Sequence, residues 1–326
     1  MSREWRKSNI MIQQIEERFF HKIIKELCLE MDIKFEKLSY DWVLQLSKDG
    51  KVRHITRNLF DNNPQATGSI VDDKYATYEV LKSQKVPVIK HTMLFNPAIR
   101  GEYIPEEGNW NMVLSEFSKY GSLVVKPNDG CEGQDIELCH NLREAEIAIQ
   151  KLFNQNHATV SLCPFYDIKT EYRNFYLNGE VLLIYGKTRP YVIGDGKQSL
   201  NELIETLHLP DKKIVQDNLN VLDMTYVPKE GEKIDISWKY NLSGGAIPNI
   251  LEQGKLYNEI EKLAIQAGKA MNINFATIDI IQTVDNQLYV MEINSGVCAK
   301  IFTQKVDGGY GMIKEVYRKA LQALFE

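Results

Sequence analysis

The sequence has few cysteines, and their spacing matches neither a disulfide framework nor a metal-binding motif. Among 326 residues there are five cysteines, none of them in a C-x-x-C pair. They are Cys28, Cys131, Cys139, Cys163 and Cys298. This odd, scattered set excludes a disulfide-stapled miniprotein and is typical of a reduced compartment. We therefore expect a cytoplasmic protein and assign no role to any cysteine.

Long apolar runs and long basic runs are also missing. No uninterrupted apolar stretch reaches the roughly 18 residues that suggest a membrane span. The opening residues, MSREWRKSN, are polar and lead into a helical pattern rather than the apolar core of a signal peptide. A formal net charge of -5 without clustered Lys and Arg argues against a nucleic-acid-binding face. We expect neither a membrane nor a nucleic acid as partner, while assembly as a homo-oligomer stays open.

Two familiar nucleotide-binding motifs are absent as well. The spacing G-x-x-x-x-G-K-[S/T] does not occur, nor does G-x-G-x-x-G, so a P-loop NTPase and a dinucleotide enzyme are both unsupported. What the sequence does contain is an alternation of helical and strand patterns, which predicts a mixed α/β (α+β) fold. At ~100–200 residues per domain, the length fits two modules or one large body.

The first part of the chain reads as a small α/β unit. Apolar residues recur at helical spacing from about residue 10 to 31, and WVLQLS and KVRHIT then form a strand pair turned at Asp49-Gly50. The stretch FDNNPQATGS is a loop by composition, and the helix YATYEVLKSQ follows it. We place a domain boundary near Asp72, which gives an N-terminal domain at 1–71 and a larger domain at 72–326.

Two strand pairs in the larger domain have clear turn signals. EYRNFYLN and EVLLIYG are joined at Asn178-Gly179, the strongest short hairpin signal. FATIDIIQT and QLYVMEIN are joined by a polar turn at Asp285-Asn286. Each pair predicts a hairpin.

Acidic residues interrupt the second of these strand pairs. Asp279 and Glu292 lie in otherwise apolar strands, where an unpaired carboxylate is costly, and Asn294 lies one alternation beyond Glu292. Oxygen ligands favour Mg²⁺, which is typically held by one or two carboxylates together with substrate phosphates. The three residues therefore form a candidate metal site, and the alternative is a salt bridge to Lys or Arg.

Basic residues at three places suggest anion binding. Lys126 ends an apolar strand before a glycine-containing loop whose amides can face a phosphate, although an ordinary hairpin loop explains the same pattern. On EYRNFYLN, Glu171 and Arg173 share one face, and the paired strand can bring Lys187 and Arg189 alongside. Arg forks bind carboxylate or phosphate, but a solvated, salt-bridged sheet surface remains the alternative. The third place is the small-residue turn in 239–245, KYNLSGG, a pattern shared by many Gly-Gly loops.

The order of these features resembles the ATP-grasp superfamily of carboxylate–amine ligases, over a match from about Asp72 to the C-terminus. The strings KTRPYVIGDGKQSLNELI and NLSGGA look most similar to the ATP-grasp regions of cyanophycin synthetase and the fused glutathione synthetase. RimK-type and D-alanine ligases are more distant in motif. The resemblance implies an ATP-grasp fold with a small N-terminal α/β domain and a mobile lid subdomain around 90–165.

The resemblance also implies roles for individual residues. ATP-binding roles are implied for Lys74, Lys126, Gly130, Gly133, Phe165, Glu171 and Lys187, with the two glycines on a flap over the phosphates. Metal-ligand roles fall on Asp279, Glu292 and Asn294. Roles near the γ-phosphate and the reacting carboxylate fall on Arg173, Arg189, Lys239, Asn241, Ser295 and Gly296. The N-terminal domain is expected to help form the acceptor side, with Asn62, Asn63 and Thr67 as candidate substrate contacts.

The implied activity is ATP-dependent ligation of a carboxylate to an amine through an acyl phosphate, with ATP and Mg²⁺, or Mn²⁺ in its place, as cofactors. An amino acid or a peptide is the expected substrate. Two alternatives stay open: a non-catalytic ATP- or peptide-binding regulator, and a kinase that stops at phosphoryl transfer. The sequence departs from the family pattern at Cys163-Pro-Phe-Tyr166 in the adenine hinge and at Ser-Gly-Val-Cys298 after Asn294.

Overall fold

A five-stranded antiparallel sheet forms the centre of the molecule. The computed structural model describes residues 18–101, 104–105, 108–129, 135–207, 209 and 222–326. The central strands, in spatial order, are β13 (Ile247–Ile250), β10 (Glu180–Thr188), β9 (Ile168–Leu177), β14 (Phe275–Thr283) and β15 (Leu288–Asn294). At the β9–β10 turn, Asn178 and Gly179 both have positive φ, at 46° and 96°, as a tight hairpin turn requires. Both predicted hairpins are therefore confirmed.

One face of this sheet packs against α8 (Lys255–Met271). The helix presents Ile260, Leu263, Ala264 and Ala267, which are buried together with the sheet residues Tyr176 and Ile278. Helix and sheet approach closely because the helix carries Gly268 over Tyr176, where an added Cβ would lie 2.3 Å from the ring. The opposite sheet face is apolar at one end, through Phe175, Tyr185 and Phe275. At its other end it carries the charged residues described below.

The described part of the N-terminal segment, from residue 18 onward, shares its hydrophobic core with other parts of the chain. This unit consists of α1 (Phe19–Glu30) and a four-stranded meander of β1 (Lys34–Leu38), β2 (Val43–Lys48), β3 (Lys51–Thr56) and β4 (Leu59–Phe60). Its apolar residues merge with those of α9 (Lys300–Lys305) and α10 (Gly309–Phe325) and with the apolar end of the central sheet. Ion pairs join the same helices, from Lys314 and Arg318 to Glu30. The boundary near Asp72 stays a prediction, and the segment before it shares a hydrophobic core with the C-terminus.

One segment expected to be a loop is partly helical. The stretch 60–69 contains the start of α2 (Gln65–Val71), which is followed by α3 (Lys74–Ser83). Pro64 precedes the first helical residue, and Thr67 and Val71 are buried against the body of the protein. The composition of Asn, Pro and Gly predicted a loop, but tertiary burial stabilises a short helix there.

A second four-stranded sheet lies in the region expected to form the lid. Its strands, in spatial order, are β5 (Thr92–Phe95), β8 (Thr159–Pro164), β6 (Leu123–Pro127) and β7 (Glu137–Cys139). The helices of this region are α4 (Pro97–Arg100), α5 (Trp110–Tyr120) and α6 (Leu142–Asn154). Val113, Leu123, Ile149 and Leu162 belong to a core separate from that of the central sheet. This unit is called the lid below.

A small unit projects after β10. It contains β11 (Tyr191–Ile193), α7 (Leu200–Glu205) and β12 (Lys233–Asp235), with its own apolar cluster around Val192 and Leu203. Glycine is required at position 194 because the backbone there packs closely against Lys229. A Cβ at this position would lie 2.2 Å from the Lys229 carbonyl oxygen. Asp195 accepts hydrogen bonds from the backbone N–H groups of Lys197 and Gln198. The Gly-Asp-Gly turn therefore has a structural role. No helix within the described ranges combines the length and apolarity needed to cross a membrane.

The shared N- and C-terminal core predicts a large difference between two leucines on α1. Leu27 is fully buried in that core, whereas Leu29 is 77% exposed. We expect Leu27→Ala to lower the free energy of unfolding by about 2–5 kcal/mol, because it removes buried methyl groups and leaves a cavity. Leu29→Ala, the control on the same helix, should change it by less than about 0.5 kcal/mol. Chemical denaturation measures both, and equal effects would show that α1 is not part of the core.

Candidate active site

Four charged residues meet on the central sheet, beyond its apolar end. Residues two apart on a strand share a face, so Glu171 and Arg173 on β9 point the same way as Phe175. The register places Asp279 opposite Arg173 and Lys187 opposite Glu171. Register and alternation together therefore gather four predicted site residues from three strands. We refer to Glu171, Arg173, Lys187 and Asp279 as the ionic cluster.

Arg173 and Asp279 form the centre of the ionic cluster. Arg173 Nε donates to Asp279 Oδ1 at 2.8 Å, and its Nη2 donates to Oδ2 at 2.5 Å, a bidentate pair. The Asp279 carboxylate is fully buried. Burial acts to raise the pKa of Asp279, but Arg173 and Lys187 outweigh it and bring that pKa to about 2. Asp279 is therefore ionised at neutral pH and held in a fixed orientation.

Lys187 connects the two acids of the cluster. Its ammonium group is buried, donates a hydrogen bond to Glu171, and lies 3.6 Å from Asp279 Oδ2. Burial raises the pKa of the Glu171 carboxyl, and Lys187 only partly offsets this effect. Burial and Arg173 both act to lower the pKa of Lys187, but the two acids outweigh them and raise it, which keeps Lys187 charged. The predicted ATP-binding role of Glu171 stays a prediction, and its carboxyl group is paired with Lys187.

The three predicted metal ligands lie side by side. Glu292 is paired directly with Asp279 across β14 and β15, and Asn294 Nδ2 donates to Glu292 Oε1 at 3.1 Å. Within the described residues no three His, Cys, Asp or Glu side chains are grouped to hold a metal by themselves. Two carboxylates and one amide oxygen fit Mg²⁺ only when phosphate oxygens and water complete its shell. The donor set therefore suits a metal that arrives with a nucleotide.

Two lysines approach from outside the central sheet. Lys74 is the first residue of α3, and its Nζ donates to the Asn128 carbonyl at 3.3 Å. Asn128 Oδ1 in turn accepts from the backbone N–H of Tyr75 at 3.2 Å, so the end of β6 is fastened to the start of α3. Lys126 lies on β6 and is buried, two residues before Asn128. The body thus contributes Lys74 and the lid contributes Lys126 to the candidate site.

An apolar cluster joins the lid sheet to the central sheet. Val124 and Cys163 of the lid are buried together with Ile281 of the central sheet and with Ile89. Phe165, just beyond β8, is 40% exposed and makes an edge contact with Trp238, with ring centroids 6.5 Å apart. Apolar side chains therefore pack the lid against the body, and the predicted ATP-binding role of Phe165 stays a prediction.

Arg189 occupies a position apart from the ionic cluster. It follows β10, donates to the Ile168 carbonyl at 2.9 Å, and stacks on Tyr240, whose ring centroid lies 4.9 Å from its guanidinium. Its Nε is buried and has no hydrogen-bond partner. Asn241 begins the 3-10 turn Leu242–Gly244 close by, and Lys239 Nζ lies 5.8 Å from the Trp238 ring centroid. The unpaired donor of Arg189 suits a carboxylate or phosphate oxygen.

The loop after β15 joins the N-terminal unit. Gly296 forms a bridge with Leu59, and Val297 N donates to the Asn58 carbonyl at 3.2 Å. Ser295 is buried beside them. Asn63 uses its side chain differently from the expectation, since its Oδ1 accepts from the backbone of residues 274 and 275.

Thr67 donates to backbone carbonyls at the end of α8. Asn63 and Thr67 therefore attach the N-terminal unit to the central sheet and its helix, and their role as substrate contacts stays a prediction. The side-chain N and O atoms of Asn62 are buried without partners.

Comparison with known proteins shows what this arrangement is similar to. A family model described as a RimK-like ATP-grasp domain matches residues 197–316, which include Asp279, Glu292 and Asn294. This segment is therefore similar to a RimK-like ATP-grasp domain. Cyanophycin synthetase of Trichormus variabilis is 23% identical over 282 residues, covering 80% of this chain. The chain spans 29% of the length of that relative, which is therefore a much longer protein.

Solved structures show that the ATP-grasp fold extends beyond the matched segment. A bifunctional glutathione synthetase from Pasteurella multocida superimposes with a TM-score of 0.55 at 18% identity, covering 92% of this chain and 43% of that chain. A D-alanine–D-alanine ligase from Bacillus anthracis gives a TM-score of 0.52 at 16% identity, covering 80% of this chain and 71% of that chain. The expected α/β ATP-grasp fold is confirmed.

The expected ATP-grasp site residues lie in several groups, and not all of them can be placed. Gly130 and Gly133, the expected flap residues, lie outside the described residues, as does Cys131. Of the remaining residues, Lys74 and Glu292 line one small cavity beside the ionic cluster, whereas Arg189 lies apart from that cluster. The assigned roles stay predictions.

Three buried polar residues near Lys74 and Lys126 were not among the predicted site residues. Asn128 and Ser161 are buried polar residues of the lid, and His91 is buried between lid and body. Asn128 follows the Lys-Pro pair that drew attention to β6, so its position was a usable signal. His91 and Ser161 lie in segments where no motif marks them. Only the folded chain brings His91 Nδ1 to 2.7 Å from Ser161 Oγ.

The ionic cluster predicts that Arg173 is required for stability. Arg173→Met leaves the buried Asp279 carboxylate without its bidentate partner, and we expect a loss of about 3–5 kcal/mol in the free energy of unfolding. Arg143→Met is the matched control, because its side chain is 75% exposed and pairs with Glu146 one helical turn away. That variant should lose less than about 1 kcal/mol. Urea denaturation without nucleotide compares the two, and a small effect for Arg173→Met would contradict the buried-pair description.

Proposed function

We propose that this protein is an ATP-dependent ligase that activates a substrate carboxylate as an acyl phosphate and joins it to an amine. The observation that carries this proposal is the pairing of two acids, Asp279 and Glu292, on neighbouring strands beside two lysines. Lys74 lines the same small cavity as Glu292, and Lys126 approaches from the lid. Acids that can hold Mg²⁺ beside lysines suit a polyphosphate that binds together with its metal.

The relatives support a ligase rather than another use of the fold. Cyanophycin synthetase, a glutathione biosynthesis bifunctional protein and a tetrahydromethanopterin:alpha-L-glutamate ligase match over 80%, 55% and 57% of this chain. The first of these names describes a synthetase, the second names glutathione biosynthesis, and the third describes a ligase that uses L-glutamate. We infer that an amino acid or a peptide supplies the carboxylate or the amine here.

The chain's own residues would act mainly through electrostatics. A carboxylate oxygen attacks the γ-phosphorus, the bond from phosphorus to the ADP oxygen breaks, and the amine then displaces phosphate from the acyl carbon. Negative charge on the transferring group would be stabilised by Lys126 and by the free Nε of Arg189. Mg²⁺ held by Asp279, Glu292 and Asn294 would neutralise charge on the phosphate oxygens.

Arg173 acts through another residue in this scheme. Its Nε and Nη2 donate to the two Asp279 oxygens, so it orients a proposed metal ligand. A positioning role for Arg173 follows from these bonds, and its predicted place near the γ-phosphate stays a prediction. The buried apolar cluster around Val124 and Ile281 supports the exclusion of water, which would hydrolyse an acyl phosphate.

Product analysis tests this function against its alternatives. The purified protein is incubated with ATP, Mg²⁺ and pools of amino acids and short peptides, and the products are examined by mass spectrometry. ADP together with a new amide supports the ligase. ADP with a stable phosphorylated product supports a kinase, and ATP binding without ADP under any acid supports a regulator. Either of the last two results would contradict the proposal.

The proposed metal site predicts loss of turnover in a folded variant. Glu292→Gln keeps the shape of the side chain but removes the charge that binds the metal. We expect ADP formation to fall by at least ~100-fold, since metal charge stabilisation is worth several kcal/mol. The control is Glu180→Gln, at the exposed start of β10, the end of that strand opposite Lys187 of the ionic cluster. Thermal unfolding verifies that both variants fold, and near-normal turnover by Glu292→Gln would contradict the metal assignment.

A further inference from the structure

His91 is a buried histidine with one nitrogen bonded and the other free of any partner. The residue is 1% exposed. Its Nδ1 lies 2.7 Å from Ser161 Oγ, and its buried Nε2 has no hydrogen-bond partner. A buried polar atom without a partner is rare, because its desolvation is not repaid. The orphan Nε2 therefore calls for a group that binds there.

The surroundings of His91 indicate the charge of that group. His91 lines a small cavity together with Lys74 and Glu292. Burial and the nearby charges of Lys126 and Lys74 lower the pKa of the imidazole well below its usual value. The ring is therefore neutral and carries a single proton. Two lysines beside a neutral donor form a place for an anion, and the cavity of about 10 Å³ has room for one oxygen atom.

His91 lies at the junction of the body and the lid. Residues 87–89 run along β15, with Ile89 N donating to the Val290 carbonyl, and the chain then enters the lid at β5. Ser161, the partner of Nδ1, pairs with Lys126 across β8 and β6. His91 therefore lies where body, lid and the two lysines meet.

We propose that His91 Nε2 donates a hydrogen bond to a phosphate oxygen of the nucleotide, as a third phosphate contact beside Lys74 and Lys126. This inference rests on the proposed ATP site. The Ser161 hydroxyl can donate to Nδ1, which places the ring proton on Nε2. A phosphate oxygen then occupies the cavity and satisfies the orphan donor. A contact of this kind distinguishes a nucleotide with phosphates from a bare nucleoside.

Two amide substitutions separate the two ring nitrogens. His91→Asn keeps a polar atom near the position of Nδ1 and loses the group at Nε2, whereas His91→Gln places an amide near Nε2. Calorimetric titration with ATP plus Mg²⁺ should show binding at least ~10-fold weaker for His91→Asn, the usual loss for a hydrogen bond to a charged group. His91→Gln should recover most of the affinity. Adenosine should bind both variants and the wild type equally, and the control His54→Asn, on an exposed site of β3, should match the wild type.

The outcomes separate this inference from the function on which it rests. A wild-type protein that does not bind ATP would overturn both. ATP binding by His91→Asn within twofold of the wild type would overturn the contact alone, as would an equal loss for ATP and adenosine. If the variants do not fold, the His91 imidazole ¹⁵N resonances of the wild type decide. A shift of Nε2 with ATP but not with adenosine supports the contact, and an unmoved resonance overturns it.

Discussion

The buried pair of Arg173 and Asp279 is the constraint on which the rest of the candidate active site depends. Removing two charges from water is costly, and bidentate geometry together with Lys187 compensates for that cost only in one register of β9 against β14. A slip of one residue would turn Asp279 toward α8 and the apolar residues there. The pair therefore links correct folding of the sheet to correct placement of the proposed metal ligand. Glu292 is positioned as well, because it is paired with Asp279 across β14 and β15.

The surrounding units have different relations to this sheet. The N-terminal unit shares its core with α10 and the central strands, and Asn63 ties it to β14, so it is part of the body. The lid has a separate core and meets the body through the apolar cluster around Ile281 and through the contacts between Lys74 and Asn128. A unit with its own core can change orientation without losing internal packing, which is the property that a closing lid requires.

Features that depend on neighbouring residues could be predicted from the sequence, whereas features that depend on residues far apart in the chain could not. Local turn chemistry at Asn178-Gly179 predicted the hairpin, and an acid in an apolar strand predicted that Asp279 needs a cation. The identity of that cation was open, and the structure gives Arg173 as its direct partner. The helix at Gln65–Val71 depends on burial against distant residues, so a composition rich in Asn, Pro and Gly misled. The pairing of His91 with Ser161 joins residues 70 positions apart, without any local signal.

A neutral histidine suits a phosphate site of this composition better than a third cation. Lys74 and Lys126 already supply two positive charges near His91, and their influence together with burial keeps the imidazole uncharged. A third lysine there would be repelled by the first two whenever the site is empty, and its desolvation would add to that cost. A neutral donor adds direction without adding repulsion, since it binds an anion through one hydrogen bond whose geometry Ser161 fixes. Binding of the phosphates can then depend on the shape of the phosphate site as well as on its charge.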